Sequence, residues 1–360
     1  GRYSALSYFG MVAAALLGVD VETFLQRAID FADRCHVEEN PAARLGAIMG
    51  VLAHHGRDKL TLISSPTLAP FGDWVEQLVA ESTGKEGTGI LPVVGETPGA
   101  DPQVYGPDRL FVVTTLQGEP LPAGAVDALV QAGHPVVQIE VGDPYDLGGL
   151  MFLWELATAV AGYHLGINPF NQPNVESAKR RAREMMDAYR EQGALPALDP
   201  LLQDGGITVY GDVTAGSVLE ALREFVRQTQ PGGYIALHAY VAPTESTTSA
   251  LRDLQTRLRD ATGQAVTLGY GPRFLHSTGQ LHKGDAGKGL FVQLIGGGDQ
   301  DAPIPDEVGT GASSITFGVL KRAQALGDRQ ALLDAGRRVL TFDLGGDVVG
   351  GIRRLIDRLS

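Results

Sequence analysis

The feature that most constrains the fold is a regular alternation of short apolar runs with helical segments from Lys59 onwards. Strands that alternate with helices in this way form a parallel sheet covered by helices on both faces. Ligands of such sheets bind at the carboxyl ends of the strands. The predicted strands are Leu60–Ile63, Gly89–Val94, Leu110–Thr114 and Val136–Val141, and the predicted helices cover residues 71–82, 123–132 and 148–165.

A second series of the same kind follows a linker around residues 193–206. The segment Ala128-Leu-x-x-Ala-Gly-x-x-Val recurs as Ala331-Leu-x-x-Ala-Gly-x-x-Val, and Tyr105-Gly-Pro recurs as Tyr270-Gly-Pro. Such matches predict an internal duplication. The predicted strands are Ile207–Tyr210, Tyr234–Val241, Ala265–Leu268, Leu290–Leu294 and Val339–Leu344, with helices near 215–229, 246–261, 314–325 and 346–358.

The sequence therefore predicts an α/β protein with two doubly wound parallel-sheet domains and an N-terminal helical segment. The predicted parts are residues 1–58, 59–200 and 201–360. In the first part, Asp20 and Asn40 are expected to cap helices. The apolar run Met11–Val19 predicts a buried helix, because it lacks the basic leader of a signal peptide.

Composition excludes several classes of function. A net charge of −13 without a basic run argues against nucleic acid and anionic membrane surfaces as partners. The single cysteine, Cys35, excludes an intrachain disulfide and suits a reducing cytoplasm. Neither the Cys35-His36 pair nor His54-His55 has further ligands at metal-site spacing, so no metal is expected.

Polar residues that could carry chemistry lie in two stretches. The first follows a helix break at Gly166, where Glu176 and Lys179 share one helix face. A lysine held by a glutamate could deliver a proton, although a surface ion pair has the same pattern. The second contains Glu81 at the end of an amphipathic helix, where partial burial would make it a base and full solvation would leave it inert.

Both stretches resemble the phosphoglucose isomerases. The segment Asn168-Pro-Phe-Asn-Gln-Pro-x-Val-Glu-x-x-Lys179 is similar to one signature of that family, and Gly1-Arg-Tyr-Ser-Ala-Leu-Ser is similar to the other. Asn174 replaces the small residue usual at its position. The segment Gln77-Leu-x-x-Glu-Ser-x-Gly-Lys resembles the one that carries the family's catalytic glutamate, which implies Glu81 as that residue.

The family's ring-opening histidine lies in a Leu-His-Ser-x-Gly-Gln motif, which here occurs late, at Leu275-His276-Ser-Thr-Gly-Gln. His276 is the motif match and His282 its rival, and Lys283 could assist either. This combination resembles the isomerase portion of bacterial bifunctional transaldolase/glucose-6-phosphate isomerases. Exposed histidines in a polar loop are the alternative interpretation.

The resemblance implies interconversion of glucose 6-phosphate and fructose 6-phosphate without a metal or nucleotide cofactor. His276 and Lys179 would open the ring, Glu81 would move the proton, and Arg2 would steady the enediolate. Gln172, His282 and Lys283 are the implied substrate-binding residues.

The family's phosphate-binding loops are not recognisable in this sequence, so upstream phosphate-binding and transaldolase domains of the same polypeptide are the expected partners. Because the second domain looks like a copy of the first, we expect it to take the place of a partner subunit and deliver His276 to Glu81 in cis. The alternative function is a non-catalytic sugar-phosphate-binding or scaffold module that keeps the fold.

Overall fold

The computed structural model of the chain describes residues 2–99, 101–174, 176–297 and 301–357, with the side chains of 176–179 left out. The chain divides into two compact units. The first comprises residues 1–172 and 284–286, and the second comprises residues 173–283 and 287–360. Each unit has its own hydrophobic core.

The first unit combines a helical start with an α/β sheet. Its described helices are α1 (Tyr8–Leu16), α2 (Val21–Arg34), α3 (Pro41–His54), α4 (Phe71–Thr83), α5 (Ala125–Gln131) and α6 (Leu147–Leu165). Its described strands are β1 (Lys59–Ser64), β2 (Leu91–Val94), β3 (Arg109–Leu116) and β4 (Val136–Val141).

The helix starts follow the capping rules that the sequence predicts. The Asp20 carboxylate accepts from the backbone N–H groups of the first turn of α2, and Asn40 does the same for α3, where Pro41 occupies the first position. α6 ends at Gly166, whose φ of 71° is the left-handed conformation that glycine adopts without strain.

The prediction of a buried helix at Met11–Val19 is wrong. The corresponding helix α1 buries none of its residues, and Phe9 and Leu16 are 74% and 84% exposed. Apolar character predicts burial only where the fold supplies a surface to pack against, and nothing described in the first unit covers this helix.

The first sheet is parallel, in the order β2-β1-β3-β4. Successive residues are buried in the first half of β1 and along most of β3, so both faces of these central strands are covered, as expected for a parallel sheet between helices. Helix α6 packs against both α2 and α3. This arrangement places the ends of α4 and α6 where the candidate site forms.

The second unit repeats the plan with an addition. Its described helices are α7 (Glu176–Gln192), α8 (Val218–Val226), α9 (Glu245–Thr262), α10 (Gly279–Gly284), α11 (Phe317–Asp334) and α12 (Val348–Ile356). Its described strands are β5 (Leu202–Asp204), β6 (Ile207–Tyr210), β7 (Tyr234–Tyr240), β8 (Ala265–Tyr270), β9 (Gly289–Ile295), β10 (Pro303–Ile304), β11 (Ile315–Thr316) and β12 (Arg338–Asp343).

The larger sheet of this unit has the order β5-β6-β12-β9-β7-β8. Its parallel part has the order β8-β7-β9-β12. If the parallel strands of each unit are numbered along the chain, both sheets have the order 2-1-3-4. The α/β class with parallel, helix-covered sheets is therefore confirmed in both units. The shared order is also what an internal duplication predicts.

The part of the second unit that matches the first sheet begins at β7, one strand later than the sequence pattern predicts. β6 pairs antiparallel with β12 and with β5, a strand that lies in the predicted linker. A three-residue polar strand such as Leu202–Asp204 leaves no periodicity to detect. The domain boundaries at 58 and 200 stay a prediction, and α7 packs on α11 within the second unit.

None of the described helices combines the length and the apolar character that a membrane crossing requires.

Gly148 tests the packing of α2 on α6. A Cβ at this position would lie 2.3 Å from the Phe24 carbonyl oxygen, so Gly148→Ala must push the two helices apart. We expect a loss of about 1–3 kcal/mol in the free energy of unfolding, although alanine is the better helix former. Urea unfolding followed by tryptophan fluorescence measures it, since Trp74 and Trp154 both lie in the first unit.

Gly72→Ala is the matched control, because its methyl group would meet only the Val94 side chain at 2.9 Å. A side chain can turn aside more easily than a helix backbone can move. Equal stability losses in the two variants would contradict the close helix contact at Gly148.

Candidate functional site

The candidate site surrounds Glu81, two residues before the end of α4. Its carboxylate is 5% exposed and receives its contacts at Oε2. Arg2 Nε lies 3.3 Å from this oxygen, Gln172 Nε2 donates to it at 3.2 Å, and Gln77 Nε2 donates at 3.3 Å. Of the predicted site residues, Glu81, Arg2 and Gln172 are thus brought together within the first unit.

Burial raises the pKa of the Glu81 carboxyl above its ordinary value, and the nearby positive charge of Arg2 is the main opposing influence. A carboxylate with a raised pKa is a stronger base than a solvated one. The described side-chain contacts of the carboxylate all converge on Oε2.

Arg2 links the N-terminal segment to two other parts of the site. Its Nη1 donates to Ser82 Oγ at 2.9 Å and to the Pro169 carbonyl at 2.6 Å, and its Nη2 donates to the Phe170 carbonyl at 3.1 Å. The side chain is 7% exposed. These partners fix the planar guanidinium, so its charge stays beside Glu81.

Lys85 is part of the motif around Glu81, although the sequence predicted no role for it, and it binds the loop of residues 168–171. Its Nζ donates to the Asn168 carbonyl at 2.9 Å, to the Asn171 carbonyl at 2.5 Å and to Asn171 Oδ1 at 3.0 Å. Together with Arg2, it takes up the four consecutive carbonyls of residues 168–171. The loop that carries Gln172 is therefore held by two buried cations.

Glu155 on α6 is a second carboxyl group that sequence reasoning missed. Its Oε1 is buried and, within the described part of the chain, has no hydrogen-bond partner. Burial raises its pKa to about 7, and a hydrogen bond from the Ala5 backbone N–H is the opposing influence. Glutamate in the middle of an apolar helix, as in Phe152-Leu-Trp-Glu155-Leu, is the sequence signal that could have found it.

The other predicted site residues lie in the second unit. Lys179 belongs to α7, but its side chain is outside the described part, so the predicted pairing with Glu176 is outside it too. His276 is exposed at the end of the short 3-10 helix Arg273–His276. Their roles stay predictions.

His282 and Lys283 lie in a buried polar cluster instead of on the surface. Lys283 Nζ pairs with Asp328 Oδ1 at 2.8 Å, and His238 Nδ1 lies 3.4 Å from Asp328 Oδ2. The far side of the His238 ring, Nε2, lies 3.2 Å from His282 Nδ1. His282 is 1% exposed and Lys283 is 7% exposed.

Burial shifts the pKa values of the groups in this cluster. It opposes ionisation of Asp328, but the charge of Lys283 holds the pKa of that carboxyl below the ordinary value. Burial lowers the pKa of both His238 and His282, so each ring is neutral at pH 7. The two rings meet at His238 Nε2 and His282 Nδ1, so one of these two nitrogens donates and the other accepts. The predicted substrate-binding role of His282 and Lys283 stays a prediction beside this buried network.

Asn174, the departure from the family signature, has a partner in the motif that carries His276. The Asn174 N–H donates to Gln280 Oε1 at 2.9 Å, and Gln280 Nε2 donates to Asn174 Oδ1 at 2.8 Å. Gln280 is buried. A glycine or alanine at position 174 could make only the first of these bonds.

The raised pKa of Glu155 has a consequence for stability. Between the unfolded value of 4.5 and the folded value of about 7, the folded chain binds more protons than the unfolded chain. Its contribution to stability is therefore present below pH 4.5 and lost as the pH rises through 7. The Glu155→Gln variant has no carboxyl group here and does not lose this stability. On going from pH 5 to pH 8, its free energy of unfolding should therefore rise by about 1–3 kcal/mol relative to that of the parent.

Urea unfolding of both proteins at pH 5, 6, 7 and 8 measures the difference. Glu140→Gln, which changes an exposed carboxylate, is the control and should run parallel to the parent. A parallel pH dependence for Glu155→Gln as well would contradict the raised pKa.

Comparison with known proteins gives relatives over part of the chain. No protein-family model matches it. The glucose-6-phosphate isomerase of Lactobacillus helveticus is 30% identical over 222 residues, which cover 50% of each chain. That of Levilactobacillus brevis is 31% identical over 220 residues, covering 50% of this chain and 49% of the relative. The chain thus spans about half the length of the curated relatives it matches.

Solved structures give only distant similarity. A hypothetical protein from Thermus thermophilus has a TM-score of 0.32 at 16% identity, covering 99% of this chain and 91% of that one. The C-terminal domain of glucosamine-fructose-6-phosphate aminotransferase from Francisella tularensis has a TM-score of 0.22 at 9% identity, covering 93% and 94%. The fold assignment therefore rests on the strand order of the two sheets.

Proposed function

We propose that the chain carries the proton-transfer site of an aldose-ketose isomerase that interconverts glucose 6-phosphate and fructose 6-phosphate. The observation that carries the proposal is the environment of Glu81, a buried carboxylate held at one oxygen by Arg2, Gln172 and Gln77. Curated relatives named glucose-6-phosphate isomerase support the same class of reaction.

In the proposed reaction, Glu81 takes the proton from C2 of the open-chain aldose. The electron pair left at C2 forms the enediolate, with negative charge on the oxygen at C1. A proton passes from the hydroxyl group at C2 to the oxygen at C1, the protonated Glu81 returns its proton to C1, and the ketose is formed with its carbonyl at C2. One carboxyl group serves both steps, because C1 and C2 are adjacent and the proton leaves and returns on the same face of the planar enediolate.

Arg2 has two effects in this scheme. Its charge lowers the pKa that burial would otherwise give Glu81, which keeps the carboxylate ionised before the reaction. Its contacts with Ser82 and the loop carbonyls fix the guanidinium, so that it stabilises the developing enediolate without rearrangement. Gln172 orients the carboxylate by donating to Oε2.

The remaining roles belong to the proposal alone. Ring opening is assigned to His276 and Lys179, with His282 and Lys283 as further substrate-binding residues, and delivery of His276 to Glu81 stays a prediction. Binding of the substrate's phosphate group is assigned to an upstream domain of the same polypeptide. That polypeptide is proposed to be longer than this chain, to include a transaldolase and to be cytoplasmic. A non-catalytic sugar-phosphate-binding module is the alternative that the experiments below distinguish.

Glu81→Gln in the full-length protein should abolish proton exchange at C2. Removal of a general base typically lowers the rate by roughly a hundred- to ten-thousand-fold. The amide keeps the size of the side chain, so sugar-phosphate binding should change little. Incorporation of deuterium from heavy water at C2 measures exchange, and calorimetry measures binding.

Glu140→Gln is the control, since it neutralises an exposed glutamate on β4. It should exchange at the parental rate. Retention of more than about a tenth of the activity in Glu81→Gln would rule out Glu81 as the base, given the losses expected for that role. A parent protein that binds the sugar phosphate without exchange would favour the non-catalytic module.

Residues 1–360 alone should bind glucose 6-phosphate weakly, with a dissociation constant on the order of millimolar. Contacts between charged groups and phosphate are among the strongest available to a small ligand, and the proposal places them upstream. Calorimetry with glucose as the control should show almost equal affinity for the two sugars. Micromolar binding of glucose 6-phosphate would place a phosphate site within this chain.

A further inference from the structure

Lys85 occupies a turn that fixes the direction of its side chain. Its N–H donates to the Thr88 carbonyl at 3.0 Å, and the Thr88 N–H donates back at 3.0 Å. Glu86 and Gly87 lie between them and have φ values of 57° and 80°. Two successive positive φ values are typical of a two-residue type I′ hairpin turn. The hairpin turn begins just after the C-cap of α4, Gly84. Lys85 therefore lies about one helical turn beyond Glu81 along the chain.

The ammonium group is completely buried and fully hydrogen-bonded. Lys85 is 0% exposed, and its three N–H groups have three acceptors on Asn168 and Asn171. A buried ammonium is costly unless such partners replace its water. The partners here belong to one loop, so the charge and the loop hold each other in place.

That loop leads directly to the catalytic carboxylate. Gln172 follows Asn171 in the chain, and its side chain donates to Glu81 at 3.2 Å. We propose that Lys85 is a positioning residue for proton transfer at Glu81: it ties the loop 168–171 to the end of α4 and keeps Gln172 on Glu81. The catalytic part of this inference rests on the proposed function, whereas the anchoring part does not.

The charges around Lys85 give the proposal a pH dependence. Burial lowers its pKa to about 8, the charge of Arg2 lowers it further, and Glu86 and Glu81 oppose the shift. Above that pH, the neutral amine has two N–H groups for three acceptors. The loop should therefore loosen as the pH rises through 8.

Hydrogen exchange followed by mass spectrometry tests the anchoring without any substrate. In Lys85→Met, the amides of residues 168 and 170–172 should exchange roughly tenfold faster than in the parent, because the opening of the loop becomes easier; Pro169 has no amide hydrogen. Lys288→Met removes an exposed lysine whose partner is the Pro231 carbonyl, and should leave this segment unchanged. Unchanged exchange in a Lys85→Met protein with the parental near-UV circular dichroism would overturn the proposal.

The parent protein supplies a second measurement should Lys85→Met not fold. After correction for the intrinsic rate, exchange of 168–172 in the parent should accelerate between about pH 7.5 and 9, the range in which a group of this pKa titrates. Protection that stays constant over this range would also overturn the anchoring.

Kinetics then test the catalytic part. Lys85→Met should lower kcat by about ten- to a hundredfold with KM within about threefold, since small misplacements cost this much. An unchanged kcat beside a loosened loop would overturn the positioning role. A parent without C2 exchange would refute the proposed function, and the exchange experiment would still decide the anchoring.

Discussion

The candidate site depends on two buried cations that share one loop. Arg2 comes from the N-terminal segment and Lys85 from the turn after α4, and between them they bind the carbonyls of residues 168–171. Carbonyl groups in a loop have no regular partners, so unpaired ones would be costly to bury. Charged donors satisfy them and at the same time fix Gln172 and Glu81 relative to each other.

The same cations set the electrostatics of Glu81. Burial raises the pKa of the carboxyl, and the charges of Arg2 and Lys85 are among the influences that oppose the rise. A group balanced in this way can accept a proton and release it again, which is what one carboxyl must do in a proton shuttle. The arrangement therefore links the anchoring of the loop to the balanced pKa of the carboxyl group.

The two units use one strand order for different purposes. In the first, the helix between the first two strands of the sheet ends in Glu81-Ser-Thr-Gly, beside Arg2. In the second, the matching helix α9 ends in Asp260-Ala-Thr-Gly, but Asp260 is exposed and pairs with Arg259 at 2.7 Å. The polar groups of the second unit lie instead in the buried cluster of His238, His282 and Asp328 with Lys283. The same strand order thus supports the candidate site around Glu81 in the first unit and a buried polar network in the second.

The sequence by itself determined the α/β class and the caps at Asp20 and Asn40, because periodicity and capping are local properties. Its resemblance to the phosphoglucose isomerases predicted Glu81, Arg2 and Gln172 as site residues, and the structure places these three side chains in contact. Only the tertiary structure decided what depends on contacts distant in sequence. It placed β6 antiparallel beside β12, left α1 uncovered and buried His282 against Asp328. It also gave Lys85 its partners, which lie more than eighty residues away along the chain.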